Sequence, residues 1–455
     1  MDTYTVSVHA LSHDGRGIAR LQDNRVVFIP HALPGQSVTV ALTKEHPQYA
    51  EASIVRIEAE EGLREPLCAE ALRCGGCPLQ RLPRSEQLYW KERLVKDTLI
   101  KISHISAETI RPIRADSKES GFRNKMEFAF GHKNGEKGVL LGLREEGSRL
   151  VHGAEGCVLL PPYANAIRKD AEEFFSASDL AAYDEGGILR HLVVRYGIGA
   201  KGLEWWLVCL TGAAQVGDRR KVQRVGEKLL AAHPEIAGFV HEERRKKDAL
   251  AIGEKRLRTL CRDEGQTATL TLPLGGLNFY LDATSFFQVH LAAANLLVDA
   301  ALDELPNFET LLDCYCGVGA PGLILAKKGQ GKTVHGFESH ARSVRYAKIN
   351  AERFGIDALY TECRLEKETI GYAGDPKKTL VLLDPPRSGL APKTVASLTT
   401  LKPANILYLS CNPATLARDI LRLADAFTLN SVVPVDLFPH SAHIECLARF
   451  CVKQA

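Results

Sequence analysis

Over the first 60 residues the apolar positions alternate or run in short β-branched stretches. TYTVSV (3–8), RVVFIP (25–30) and SVTVAL (37–42) are predicted strands, with HDGRG, LQDN and LPGQ as the turns between them. Short strands without a helical period predict a small all-β, OB-like barrel over 1–60. The pattern turns helical from Ser85 to Ile102, where Leu88, Val95, Leu99 and Ile102 fall on one stripe. A mixed stretch follows. MEFAFG (126–131), HLVVRYG (191–197) and EWWLVCLTG (204–212) read as strands and 162–182 and 217–233 as helices. This predicts an α+β central domain over 61–265. HEERRKKD (241–248) is a mixed charge run, expected to be a solvated hairpin tip. From 266 to 455 the texture becomes strand–helix alternation. TLLDCYC (310–316), TVHGFE (333–338), TLVLLDPP (379–386) and ANILYLSC (404–411) are strand candidates, with helices at 340–353, 389–400 and 414–426. Such alternation predicts a doubly wound, Rossmann-like α/β domain with ligands at the carboxyl ends of its strands. The chain is therefore expected to be multidomain, with the helix at 85–102 packed on the last domain.

Composition narrows the function classes. At 455 residues, with 45% hydrophobic and 25% charged, the chain matches an ordinary globular protein and not a disordered or fibrous one. No apolar run approaches the ~18 residues that span a bilayer. The start, MDTYTVSVHALSHDG, lacks the features of a secretory signal, so a cytosolic protein is expected. Net charge is only +3, from 58 basic and 55 acidic residues, so any nucleic-acid site must come from local clustering. Gly15-Arg16-Gly17 offers a cation on a flexible loop, suited to a phosphate or simply to a solvated turn. Twelve cysteines in a reducing compartment point to metal binding or catalysis before disulfides.

Five constellations carry chemistry. Cys68, Cys74 and Cys77 lie in a tight Gly-rich loop that needs one more ligand to complete a four-sulfur site, and Cys157 is the candidate. Zinc and an iron–sulfur cluster both accept four thiolates, and the absence of a second C-x-x-C tilts the reading to a cluster. Asp313, Gly317 and Gly319 follow a strand, and Glu338 ends the next one. Treated as a G-x-G loop with an acid one strand later, this reads as an S-adenosylmethionine site in preference to a dinucleotide site. In LLDPPRSG (382–389) two prolines make a rigid strand exit that aims Asp384 into the crevice. In LSCNPATLARD (409–419) Cys411 ends a strand opposite a helix N-terminus, where a lowered thiol pKa is expected. FPHSAHIE (438–445) supplies Glu445 as a base. Its His440 and His443 form an H-x-x-H pair, too little by itself for a metal site.

Taken in chain order, these motifs resemble the RNA uracil-5-methyltransferase family, in particular its iron–sulfur branch typified by 23S ribosomal RNA enzymes. LSHDGRGIARL with HALPGQSV resembles the TRAM domain, a small RNA-binding barrel, and CGGCPLQ resembles the cluster loop. FRNKMEFAFG and LRHLVVRYG resemble the central domain, and SFFQV, DCYCGVG, DPPRSG and SCNPATLARD the catalytic domain. The resemblance implies Cys411 as nucleophile and Glu445 as the base that removes the C5 proton. It implies that Gln288, Tyr315, Gly317, Gly319, Glu338 and Asp384 line the donor and uracil pockets. Cys68, Cys74, Cys77 and Cys157 would hold a [4Fe–4S] cluster, and S-adenosylmethionine would be the donor. The implied partner is RNA, 23S ribosomal RNA first and transfer RNA as the alternative, with no membrane and no obligate protein partner. Three departures stand out: His290 where the family usually has Asn, Ala320 after the second glycine, and FESH around Glu338. An alanine side chain cannot hydrogen-bond, which puts donor contacts at Ala320 in question. The rival readings are a non-catalytic RNA-binding iron–sulfur protein and a cluster-based redox enzyme.

Overall fold

Three sheets organise the computed structural model, which describes residues 2–71, 73–133, 137–145, 147–199, 202–329, 331, 333–372 and 374–454. Residues 3–60 form six strands in the spatial order Thr3–Ser7, Gln36–Glu45, Tyr49–Glu60, Val26–Ile29, Gly17–Arg20, Ala10–Leu11. Their inward positions, among them Val6, Val27, Ile29, Val38 and Val40, close one small core. Period-2 patterning made three of these strands legible. The twelve-residue strand Tyr49–Glu60 was missed because its outer half, from Val55 to Glu60, is exposed on both faces.

The second sheet has nine strands. Its spine runs Val151–Gly153, Val139–Arg144, Lys125–His132, Leu189–Gly199, Gly202–Thr211, Ile236–Glu243, Lys255–Cys261, and the hairpin Thr269–Leu274/Leu277–Asp282 joins through Ile198 opposite Thr271. The charge run at 241–248 is only half solvated. His241, Glu242, Glu243 and Arg244 are buried, with the His241 ring 2.9 Å from Thr211 Oγ1, and the residues from Arg245 to Asp248 alone form the exposed tip.

The third sheet runs Asp357–Glu362, Thr333–Glu338, Thr310–Cys314, Thr379–Leu383, Asn405–Ser410, Glu445–Val452, Phe427–Asp436, Arg114–Ala115. The first five strands are parallel, and Glu445–Val452 is antiparallel to both of its neighbours. From Thr310–Cys314 the chain moves to one side and then crosses back to Thr379–Leu383 on the other. The strand order therefore reverses between these two, where a doubly wound sheet opens its ligand crevice.

The helix Arg84–Ser103 lies against this third sheet. Val95 and Leu99 share a core with Leu416, Ala417 and Ile420. The buried face is not the predicted stripe, however. It is the ladder Gln87, Lys91, Val95, Leu99, Ser103, whereas Ile102 is exposed and Leu88 half-buried. Lys91 can occupy this face because the third sheet offers it partners. Lys91 Nζ lies 2.7 Å from Asp436 Oδ1 and 2.8 Å from the Phe438 carbonyl oxygen, and Arg84 pairs with the other Asp436 oxygen. A small junction core of Leu33, Leu79, Leu82 and Ala442 joins all three regions. Among the described residues no helix is long and apolar enough to cross a membrane.

Candidate active site

The loop after Thr310–Cys314 passes through three left-handed residues, Tyr315, Gly317 and Gly319, at φ 66°, 54° and 81°. Gly319 caps the helix Ala320–Lys328 in that conformation. Tyr315 is the exception to the glycine preference. Its N–H donates to the Phe337 carbonyl at 2.8 Å, and its hydroxyl lies 3.3 Å from Thr394 Oγ1. Gly322 also matters, because a Cβ there would meet the Asp313 carboxylate, with Cγ 2.6 Å away. Gly322 thus completes a G-x-G-x-x-G spacing that the sequence reading had treated as G-x-G alone. Spacing therefore does not by itself separate a dinucleotide from S-adenosylmethionine. Ala320 is buried among Val318, Ala347 and Leu323, so its side chain serves packing.

Glu338, at the end of the neighbouring strand, accepts from Gly317 N–H at 3.0 Å through Oε2 and from His340 N–H at 2.8 Å through Oε1. Asp384 follows Thr379–Leu383, and its N–H donates to the Cys314 carbonyl at 3.2 Å. Asp313, Glu338 and Asp384 thus gather acid at the carboxyl ends of three adjacent strands. Burial first, and then the Asp384 and Glu338 carboxylates, push Asp313 up to about 8. Burial and Glu338 likewise push Asp384 up to about 7.

Cys411 follows Asn405–Ser410 and precedes the helix Pro413–Leu423, whose N-cap Asn412 accepts from Ala414 N–H at 3.0 Å. In the antiparallel register Ser410 sits opposite Cys446, so the next pair along is Cys411 and Glu445. The structure corrects the expected acidity of the thiol. Burial and the Glu445 carboxylate push Cys411 up to about 11, with Arg387 opposing and Asp384 adding to the rise. A helix terminus supplies only a partial charge, and burial beside two carboxylates outweighs it. Glu445 is itself buried, and burial followed by Asp384 lifts it to about 8. His443 is held down to about 4, by desolvation first and then by Arg387, whose Nη2 lies 3.2 Å from His443 Nε2.

The four predicted cysteines line one cavity of 570 Å³ in the second sheet's territory. Arg123, Gln288 and Arg387 line the same cavity, which runs from the cysteine loop to the catalytic sheet. Cys74 Sγ accepts from Gly76 N–H at 3.4 Å. Burial, then Cys157 and Cys74, push Cys77 up to about 12. Among the described residues no three His, Cys, Asp or Glu side chains converge closely enough to hold a single metal ion. His440 and His443 have different partners, Gln87 and Arg387. Gln288 belongs both to the cysteine cavity and to a small void beside Asp384 and Pro321, and its carbonyl accepts from Asn124 Nδ2 at 2.9 Å. His290 stacks on Phe122 at 4.3 Å and approaches the Leu437 carbonyl at 3.3 Å, so this departure joins the central and catalytic regions.

Two residues of the site escaped the sequence reading. Arg387 stands between Cys411 and His443 electrostatically, and its carbonyl accepts from Asn412 Nδ2 at 3.4 Å. Asp419, fully buried, accepts from Leu390 N–H at 2.8 Å and from Tyr408 O–H at 2.9 Å, which fixes the DPPRSG exit to the helix behind Cys411. A carboxylate three residues after Leu416 on an apolar helix face was the available signal.

Comparison with known proteins agrees with this geometry. Residues 2–55 match the TRAM domain, and residues 264–450 match the family described as tRNA (Uracil-5-)-methyltransferase. An RNA methyltransferase of Nitratidesulfovibrio vulgaris is 35% identical over 99% of this chain and 96% of its own length. A second, from Thermosynechococcus vestitus, is 32% identical over 98% and 97%. The crystal structure of Pyrococcus abyssi tRNA (uracil-54, C5)-methyltransferase in complex with S-adenosyl-L-homocysteine superposes with a TM-score of 0.76 at 25% identity, covering 98% of this chain and 99% of that one. An N-terminal TRAM domain, a methyltransferase fold at the C-terminus and relatives of this identity along nearly the whole length place the chain in the RNA uracil-5-methyltransferase family.

Proposed function

We propose that this protein methylates C5 of a uridine in RNA, 23S ribosomal RNA before others, in the cytoplasm, through a covalent bond from Cys411 Sγ to C6 of the base. The observation that carries this reading is Cys411 opposite Glu445 at the end of the strand next to Thr379–Leu383, whose exit residue Asp384 borders the switch point. Uracil C5 is a weak nucleophile. Addition of the Cys411 sulfur at C6 pushes electrons onto C5 and the adjoining carbonyl, dividing one hard step into easier ones. Asp384, titrating near neutrality, is the nearby acceptor for the thiol proton, so that Glu445 stays available for the later step. S-adenosylmethionine, which Tyr315, Gly317, Gly319, Glu338, Asp384 and Gln288 would hold, supplies an electrophilic methyl group on a cationic sulfur. The carboxylates gathered at the strand ends suit a cation. After transfer, Glu445 takes the C5 proton, the C5–C6 double bond re-forms and Cys411 leaves. Glu445, at about 8, is far better matched to that task near neutral pH than His443 at about 4. A target inside a stem must be turned out of its stack to reach this crevice.

A [4Fe–4S] cluster is the proposed occupant of the cysteine cavity, because Cys68, Cys74, Cys77 and Cys157 line it together and four thiolates are what such a cluster takes. A bound cluster would supply structural linkage between the loop at 68–77 and Cys157. A second reading, with transfer RNA as substrate, draws on the full-length likeness to the Pyrococcus abyssi enzyme. Mass-spectrometric mapping of 5-methyluridine in ribosomal and transfer RNA, from cells with and without the protein, decides between them. A methyl group lost from 23S RNA is expected, loss from transfer RNA would reassign the substrate, and loss from neither would overturn the reading.

A further inference from the structure

Phe438–Ile444 is the loop that delivers Glu445 to the site, and its centre is His440. This residue is fully buried and left-handed, at φ 69°. Four hydrogen bonds tie it to three segments remote in the chain. Its N–H donates to Gln87 Oε1 at 2.9 Å, and its carbonyl accepts from Leu79 N–H at 2.8 Å. Ring Nδ1 lies 3.2 Å from Gln87 Nε2, and ring Nε2 lies 2.8 Å from the Glu119 carbonyl oxygen. The Gln87 orientation fixes the tautomer. Because Oε1 accepts from the backbone, Nε2 must donate, so Nδ1 is the acceptor and Nε2–H points to Glu119. A neutral imidazole with both nitrogens engaged and no exposure has no proton to exchange with a substrate.

The partners are what make this arrangement informative. Leu79 follows Cys77 by two residues, and Gln87 belongs to the helix anchored by Lys91, whose Nζ also bonds the Phe438 carbonyl at 2.8 Å. On the other side, a Cβ on Gly15 in the N-terminal barrel would lie 3.1 Å from Ala442 Cβ and 3.3 Å from Pro78 Cγ. Barrel turn and cysteine loop therefore both meet the 438–444 loop, the first at Ala442 and the second at His440. We infer that His440 is a positioning residue: it holds the 438–444 loop so that Glu445 faces Cys411, and it ties that placement to the cysteine loop. The inference rests on the reading of Glu445 as the base that acts after methyl transfer.

A misplaced base should slow only the late step. Single turnovers with in-vitro transcribed 23S ribosomal RNA and with transfer RNA, whichever is methylated, separate adduct formation from product release. His440→Asn tolerates the left-handed backbone but is too short to reach Glu119. It should form the covalent adduct within about threefold of the wild-type rate yet release product at least about tenfold more slowly, lowering kcat with KM little changed. Methylated protein–RNA adduct should then persist on denaturing gels, as with Glu445→Gln run alongside. Gln87→Ala, which removes two of the four bonds, should show the same split to a smaller degree and serves if His440→Asn does not fold. Release at the wild-type rate, or equal slowing of both steps in folded protein, would overturn the inference. Adduct accumulating with Glu445→Gln but with neither other variant removes this proposal alone. No accumulation with Glu445→Gln removes the base assignment and this proposal with it.

Discussion

Cys411 and Glu445 stand across from each other one step beyond the last paired residues, Ser410 and Cys446, of two antiparallel strands. The Glu445 carboxylate helps to hold the proton on Cys411, and Asp384 does the same for Glu445. The thiol sits at about 11 and the carboxyl at about 8, burial being the largest cause for both.

Cys411→Ala should abolish methyl transfer while leaving donor affinity within about twofold, because the sulfur bonds to the base and not to the donor. Calorimetry and a transfer assay on the same preparation test this. Turnover within about tenfold of wild type would remove the nucleophile assignment. Cys411→Ser should be nearly as damaging, since a hydroxyl is far less ionised than a thiol at neutral pH.

Stability should fall as pH rises towards about 8 and level off above it. Asp313, Asp384 and Glu445 have folded-state values of about 8, 7 and 8, against about 4 when unfolded. Between those limits the folded chain holds protons that the unfolded chain has released. The stabilisation is therefore complete below pH about 4 and is lost as pH climbs through 7 to 8. His191, His241 and His443, each lowered to about 4, act in the opposite sense but only below pH about 6.5. Urea midpoints from pH 6.5 to 8.5 should accordingly decline, by up to about 1.4 kcal/mol per pH unit for each carboxyl. Asp313→Asn should flatten the decline, and an equally steep variant would show that Asp313 is ionised in the fold.

Gly322→Ala should be costly for a steric reason. The new Cβ would run into the buried Asp313 carboxylate, with Cγ at 2.6 Å. Overpacking of this kind costs about 1–3 kcal/mol. Displacing the helix also moves the Gly317–Gly319 loop, so donor affinity should drop at least about tenfold. A variant that binds donor normally would show that the loop adjusts independently of the helix.

Anaerobically purified protein should be brown and carry about four irons per chain, as one [4Fe–4S] centre requires. Stoichiometric zinc would refute that assignment. Alanine at Cys74 or Cys77 should lower the yield of folded protein more than the activity per folded molecule, because the cavity ties the loop to Cys157.

Much of this site was legible because its chemistry is local in sequence. Cys411, Asp384 and the glycine loop each sit at the exit of an apolar strand, a place that period and length reveal without any partner. What escaped depended on long-range pairing. Nothing near Gln87 and Lys91 announces that they face inward, since Asp436 and His440 lie about 350 residues away. The apolar residues nearby suggested another stripe, ending at Ile102, which is exposed. The pKa of Cys411 was misjudged for the same reason. The helix after it was visible in the sequence, whereas the carboxylates opposite it are brought there by the fold.

That hidden face leads to the last prediction. Asp436 is fully buried, with Lys91 at 2.7 Å, Arg84 on its other oxygen and the Phe438 N–H at 3.0 Å. Burial lowers the Lys91 pKa, while Asp436 raises it and is itself held low by both cations against the opposing effect of its own burial. Asp436→Asn removes the carboxylate that balances a buried ammonium, which should cost about 3–5 kcal/mol. Lys91→Met should cost less, because Arg84 stays with Asp436 and the thioether chain fills the lost volume. The double variant should be more stable than the sum of the single losses, with a coupling of about 0.5–3 kcal/mol in a denaturation cycle. Additive losses would mean that Arg84 alone carries the pair. A folded Lys91→Met protein should also retain the helix on the sheet through Val95 and Leu99 yet loosen the Phe438 carbonyl. Amide exchange should then quicken from Phe438 to Ile444 and stay slow in the Asn405–Ser410 strand.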